Sequence, residues 1–97
     1  VWACDISQEA LAVARTNGER LEATVHWVHG DGLAWWDCAR PLHAVVSNPP
    51  YVDPALKPTL QPEVAWHEPA IALFCPERGL AMYRRLCREA FARLEPG

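Results

Sequence analysis

Ninety-seven residues, 51% of them hydrophobic and 22% charged, allow at most one domain and are too apolar and aromatic for a disordered tail. Twelve acidic against nine basic side chains leave a net charge of −3, with Lys57 the one lysine. That balance disfavours direct nucleic-acid binding, because counterion release needs a dense cationic surface. No run of about 18 apolar residues is present to span a membrane, and no basic leader runs into an apolar stretch.

The chain opens on Val1-Trp2-Ala3-Cys4, which reads like the inside of a strand closed by Asp5. Ser7 then offers an N-cap oxygen to a helix whose Ala- and Leu-rich body runs from Gln8 to Arg15. Asn17-Gly18 supplies the left-handed residue that commonly ends a helix. Val25 to Val28 fit a second strand, closed by Gly30-Asp31-Gly32. Residues 33–41 read as a connection containing Trp35-Trp36, and His43 to Ser47 as a third strand with a β-branched centre. Strand, helix, strand, strand with apolar centres predicts an α/β fold with a mainly parallel sheet.

The composition then changes. Seven of the nine prolines fall between 49 and 76. Proline lacks an N–H and fixes φ, so this stretch is expected to be non-repetitive, and long loops of that kind in compact domains are usually lids or binding loops. Beyond it, Leu80, Tyr83, Cys87, Ala90 and Leu94 recur at intervals of 3, 4, 3 and 4, with Leu86 and Phe91 widening the stripe. This predicts an amphipathic helix over 79–95, stopped by Pro96-Gly97, with Arg84, Arg85 and Arg88 on a solvated face. The chain therefore divides into 1–47, 48–78 and 79–95 within one partial domain, 1–97.

Cysteines at 4, 38, 75 and 87 and histidines at 26, 29, 43 and 67 show no metal-ligand spacing. The expectation is no metal, structural histidines, and reduced, buried cysteines of a cytoplasmic protein.

The residues that point to chemistry begin at Asn48-Pro49-Pro50-Tyr51, directly after the segment His43–Ser47. In open α/β sheets ligands bind beyond the carboxyl ends of the strands. A residue before proline is pushed out of the helical region, and here two in succession are so restricted. The result is a stiff rim offering one amide side chain and unpaired carbonyls, suited to accept the two hydrogens of a planar –NH2 group. The plainer alternative is a proline-rich turn with Asn48 capping its own backbone. Two acids close the earlier strands. Asp5 is placed to take both ribose hydroxyls of a nucleotide, since a carboxylate matches two adjacent O–H donors. Asp31, between glycines that let the backbone approach a ring, is placed to accept from an adenine amino group. Otherwise Asp5 is a helix-start carboxylate and Gly30-Asp31-Gly32 an ordinary turn.

These residues give the chain a resemblance to a known family. It resembles the HemK/PrmC group of S-adenosylmethionine-dependent methyltransferases, which methylate a glutamine side-chain amide in peptide chain release factors. The resemblance rests on Asp5 with its helix, Gly30-Asp31, Val46 to Val52, Glu68-Pro69 with Ala72-Leu73, Gly79-Leu80 and Tyr83. The N-P-P-Y tetrapeptide is shared with DNA adenine methyltransferases, whereas the later series is particular to the glutamine enzymes. The resemblance implies a Rossmann-like class I methyltransferase fold. It implies cofactor contacts at Asp5, Asp31, Gly32 and Asn48, although the family often has a bulkier residue where Gly32 stands. It implies substrate contacts at Asn48, Pro49, Pro50 and Tyr51, with Asn48, Pro49 and Tyr51 carrying the chemistry. It further implies a release-factor partner and a monomer. The alternatives are a DNA adenine-type amino-methyltransferase, which the acidic balance disfavours, and a non-catalytic α/β binding module.

The family's glycine-rich turn precedes the ribose-binding acid, and no such turn stands before Asp5. Its N-terminal helical domain and later strands are missing too. In the doubly wound order the first strand lies between the second and fourth. The chain is thus expected to be a piece of a larger enzyme, with strands 1–5 and 43–47 facing an empty slot. The 97-residue chain alone is predicted to be weakly stable and inactive. A cooperative thermal transition together with S-adenosylmethionine binding would contradict this.

Overall fold

A computed structural model describes residues 1–96. They form two compact units, Val1–Arg40 and the chain from Pro41 onward.

The first unit is a β-α-β unit: β1 (Trp2–Asp5), α1 (Gln8–Arg20) and β2 (His26–His29). The strands pair in parallel, Trp2 opposite His26 and Asp5 opposite His29. Parallel neighbours need a crossover, and α1 supplies it. The Ser7 hydroxyl accepts from the Ala10 N–H at 3.2 Å, the N-cap expected from the sequence. Leu11, 3% exposed, anchors α1 within the unit. Burying such a side chain contributes about 1.5–3 kcal/mol. Trp2 stacks on its cross-strand neighbour His26 with centroids 4.4 Å apart, and Trp35 and Trp36 pack around it at 6.1 and 5.4 Å.

Helix α1 does not end at Asn17-Gly18 but runs through it to Arg20. Gly18 is buried, and a Cβ there would sit 3.0 Å from the Trp27 ring. The glycine serves packing, not capping, and the left-handed residue after the helix is Glu22.

The second unit departs further from expectation. His43–Ser47 is not a strand: no ladder runs along it among the described residues, and Val46 is 96% exposed. A β-rich composition makes a strand only where a neighbour satisfies its backbone, and here the partnered position is Leu42. The Leu42 N–H donates to the Arg93 carbonyl (2.7 Å), and the Leu42 carbonyl accepts from the Glu95 N–H (2.9 Å).

The proline-rich stretch is not devoid of helix. A 3-10 helix spans Pro54–Thr59, followed by α2 (Pro62–His67) and α3 (Ala70–Leu73). Proline opens the first two and caps the third, since the first turn of a helix needs no N–H from it. Lys57 lies over the rings of Trp66 (5.3 Å) and Phe74 (5.9 Å), tying these short elements together.

The last helix, α4, covers Ala81–Phe91 and not 79–95. Chain beyond it pairs through Leu94 with Leu42, which ends the helix before Pro96; Gly97 lies outside the described residues. Three of the seven expected stripe residues are half-buried (Leu86, Ala90, Leu94), joined by Met82, while Leu80, Tyr83, Cys87 and Phe91 are exposed. The arginines follow the solvated-face reading in part. Arg84 lies 3.5 Å from Glu77, whereas Arg85 donates to Glu89 at 2.8 Å in a partly buried i,i+4 pair. All four cysteines are free, but only Cys75 is buried; Cys38 and Cys87 are exposed and Cys4 is intermediate, so the expectation of four buried thiols fails. No helix among the described residues is long and apolar enough to cross a membrane.

Replacing Ser7 by Ala removes the cap of α1 and is expected to lower unfolding stability of the full chain by about 1 kcal/mol, read from the denaturant midpoint.

Candidate functional site

In the first unit the parallel register sets Asp5 and the Gly30-Asp31-Gly32 turn at the same carboxyl end of adjacent strands. The Gly30 N–H donates to the Asp5 carbonyl at 3.0 Å, joining the two ends directly. Asp5 Oδ1 accepts from the Ser7 N–H at 2.8 Å. The helix-start reading of this acid is therefore real, and it uses one oxygen only. The residue is exposed, so the carboxylate keeps acceptor capacity toward solvent.

Gly32 is left-handed, φ 59. Its carbonyl accepts from the Cys4 thiol (3.2 Å) and from Trp35 Nε1 (3.0 Å). Gly30 answers to Trp35 as well: a Cβ there would lie 2.5 Å from the Trp35 ring. The space Gly30 leaves is thus filled by the chain's own indole, whereas the sequence marks Trp35-Trp36 only as part of a connection.

His29 fits the expectation of a structural histidine. Its Nε2 lies 2.9 Å from the Ile6 carbonyl and its Nδ1 3.3 Å from Gln8 Nε2. A carbonyl only accepts, so Nε2 carries the proton and Nδ1 accepts from the Gln8 amide. The ring staples the loop after Asp5 to the end of β2. Its place opposite Asp5 in the register is the signal that marks it.

In the second unit Asn48-Pro49-Pro50-Tyr51 follows the ladder-free segment. Pro49 is buried, Asn48 is exposed and Tyr51 is 57% exposed. The Asn48 side chain makes no hydrogen bond among the described residues, so it does not cap its own backbone. Immediately after, Val52 is held firmly. Its N–H donates to the Leu73 carbonyl and its carbonyl accepts from the Cys75 N–H, both at 2.9 Å. An anchored residue behind and a buried proline within leave the amide and the phenol ring projecting from a stiff base. Asp5, Asp31 and Gly32 are thus gathered in one unit and the tetrapeptide is presented by the other. A shallow cavity of about 180 Å³ lies among Trp2, Trp35, Trp36, Asp37 and Arg40, and none of the expected site residues lines it.

Comparison with known proteins is decisive about kinship. The chain is 43% identical along its whole length to the release factor glutamine methyltransferase of Deinococcus radiodurans, and 40% identical to that of Koribacter versatilis. It is homologous to a segment of these enzymes. The resemblance to the glutamine methyltransferase group read from its motifs is borne out. The enzyme of the same name from Caulobacter vibrioides is 44% identical over 96% of the chain. The chain spans about a third of the length of these curated relatives: 34%, 35% and 32%. No protein-family model matches it, and no solved structure does.

Gly30→Ala is expected to drive the Trp35 ring off the turn. The full chain should lose about 1–3 kcal/mol of stability, with a shift in tryptophan emission, as overpacked sites do.

Proposed function

We propose that the chain carries the substrate-amide site and part of the cofactor site of an S-adenosylmethionine-dependent methyltransferase acting on a glutamine side chain of a peptide chain release factor. The observation that carries this reading is Asn48: an exposed, unbonded amide on a base stiffened by two prolines and anchored at Val52. The names of the relatives support the substrate class.

The residues present fit the cofactor. Asp5 keeps a carboxylate oxygen for ribose hydroxyls at the end of a strand, and Asp31 and Gly32 stand at the end of its parallel neighbour. That is where nucleotides bind in Rossmann-like folds, the fold class we assign to the parent enzyme. In this division residues 1–47 serve the cofactor and 48–78 the substrate. When bound, S-adenosylmethionine supplies an electrophilic methyl group on a sulfonium.

The chain's own residues do the rest. A primary amide nitrogen is a poor nucleophile because its lone pair is delocalised into the carbonyl. The Asn48 side-chain oxygen and the Pro49 carbonyl accept its two N–H groups and favour the geometry that frees the lone pair. The same acceptors stabilise positive charge developing on nitrogen, which is electrostatic preorganisation. The Tyr51 ring packs on the amide plane and adds cation–π attraction. Pro50 keeps the two acceptors from drifting apart.

Asn48→Ala in the parent enzyme that contains this segment is expected to lower kcat for release-factor methylation by about 100- to 1000-fold. S-adenosylmethionine binding by calorimetry should change little. Near-normal turnover would sink the assignment, and methylation of duplex DNA in preference to release factor would redirect it.

A further inference from the structure

Behind the tetrapeptide lies a turn to which the chemistry above gives no part. Glu77, Arg78 and Gly79 are all left-handed, with φ 55, 56 and 85. Two of the three carry side chains, for which this conformation is costly and persists only where the surroundings impose it. Backbone bonds impose it here. The Gly79 N–H is shared between the carbonyls of Cys75 (3.2 Å) and Pro76 (3.1 Å), and the Ala81 N–H donates to Pro76 at 3.3 Å. The buried Cys75 sulfur accepts from the Met82 N–H at 3.2 Å. The Cys75 N–H in turn donates to Val52. The turn and the residue after Tyr51 are one hydrogen-bonded assembly.

Gly79 meets the main chain of Tyr51. A Cβ built on it would fall 1.9 Å from the Tyr51 carbonyl oxygen, 2.8 Å from the carbonyl carbon and 3.5 Å from its Cα. The obstacle is backbone, not the free end of a side chain. Relief toward Val52 is blocked by that residue's two hydrogen bonds, to Leu73 and Cys75. On the other side stand Pro50 and Pro49, whose φ angles are fixed. A push at the Tyr51 carbonyl therefore travels to the Pro49 carbonyl and to Asn48, with little soft backbone to absorb it.

We infer that Gly79 is a positioning residue for amide methylation. Its missing side chain sets the seat of Tyr51 and, through the two prolines, the placement of the Asn48 and Pro49 acceptors. The inference rests on the reading of the tetrapeptide as the amide site. Gly79 itself touches no substrate.

The test compares the wild-type parent enzyme that contains this segment with its Gly79→Ala variant, using a release factor as methyl acceptor and calorimetric binding of S-adenosylmethionine. The variant is expected to lose about 100-fold in kcat, the scale of a 1 Å misplacement. Its cofactor Kd should stay within about twofold. Wild-type kcat in the variant overturns the inference alone, whereas a wild-type parent enzyme that leaves the glutamine unmethylated overturns the amide-site reading and the inference with it. If Gly79→Ala shows no cooperative melt, Glu77→Gly and Arg78→Gly are added to relieve the neighbouring left-handed residues. A kcat still about 100-fold low in that refolded chain supports the inference, and a wild-type kcat overturns it. Glu77→Gly with Arg78→Gly, leaving Gly79 in place, should keep kcat. A fall matching that of Gly79→Ala would make general loosening of the turn the cause, and would overturn a specific role for Gly79.

Discussion

The second unit depends on the two backbone hydrogen bonds that hold Val52 between Leu73 and Cys75. They fix the chain one residue beyond Tyr51. Everything upstream is then governed by stiffness, because two prolines leave few soft dihedrals between that anchor and Asn48. Everything downstream is governed by closeness, because Gly79 must pass against Tyr51 with no room for a Cβ. The short helices between them bring Leu73 and Cys75 back to Val52, and the Lys57 contacts with Trp66 and Phe74 hold that return path together.

The first unit rests on a different constraint, the parallel pairing of β1 and β2. Parallel pairing puts both carboxyl ends on one side, so two acids separated by 26 positions in sequence become neighbours of a single edge. His29 and Trp35 then brace that edge from within: one staples the loop after Asp5, the other fills the space beside Gly30. Exposure of Asp5 leaves its remaining oxygen open to a ligand, while its bond to the Ser7 N–H orients the carboxylate. The acid thus braces the N-cap residue of α1 and presents an acceptor at once.

Much of this was legible from residue type and spacing. Ser7 before an Ala/Leu-rich run announces α1, and Asn48 before two prolines announces an amide that cannot enter a helix. Other signals misled because they are local. Gly18 has the character of a helix stop, yet a close approach by Trp27 is what calls for it. His43–Ser47 has the composition of a strand, yet without a paired neighbour its N–H and C=O groups form no ladder. Prolines at 54 and 62 looked like obstacles to helix and are helix starts.

Residue type alone sets which groups are available: two strand-end carboxylates, one rigidly presented amide with its aromatic neighbour, and no dense cationic surface. These follow from side-chain chemistry and from proline's fixed φ, which need no partner to act. Which backbone atoms meet is set by packing. That Gly79 lies on Tyr51, that Cys75 locks Val52, and that Trp35 occupies the space at Gly30 are contacts between residues 5 to 28 positions apart. No local propensity encodes them, because each arises from close packing of segments the chain must first bring together.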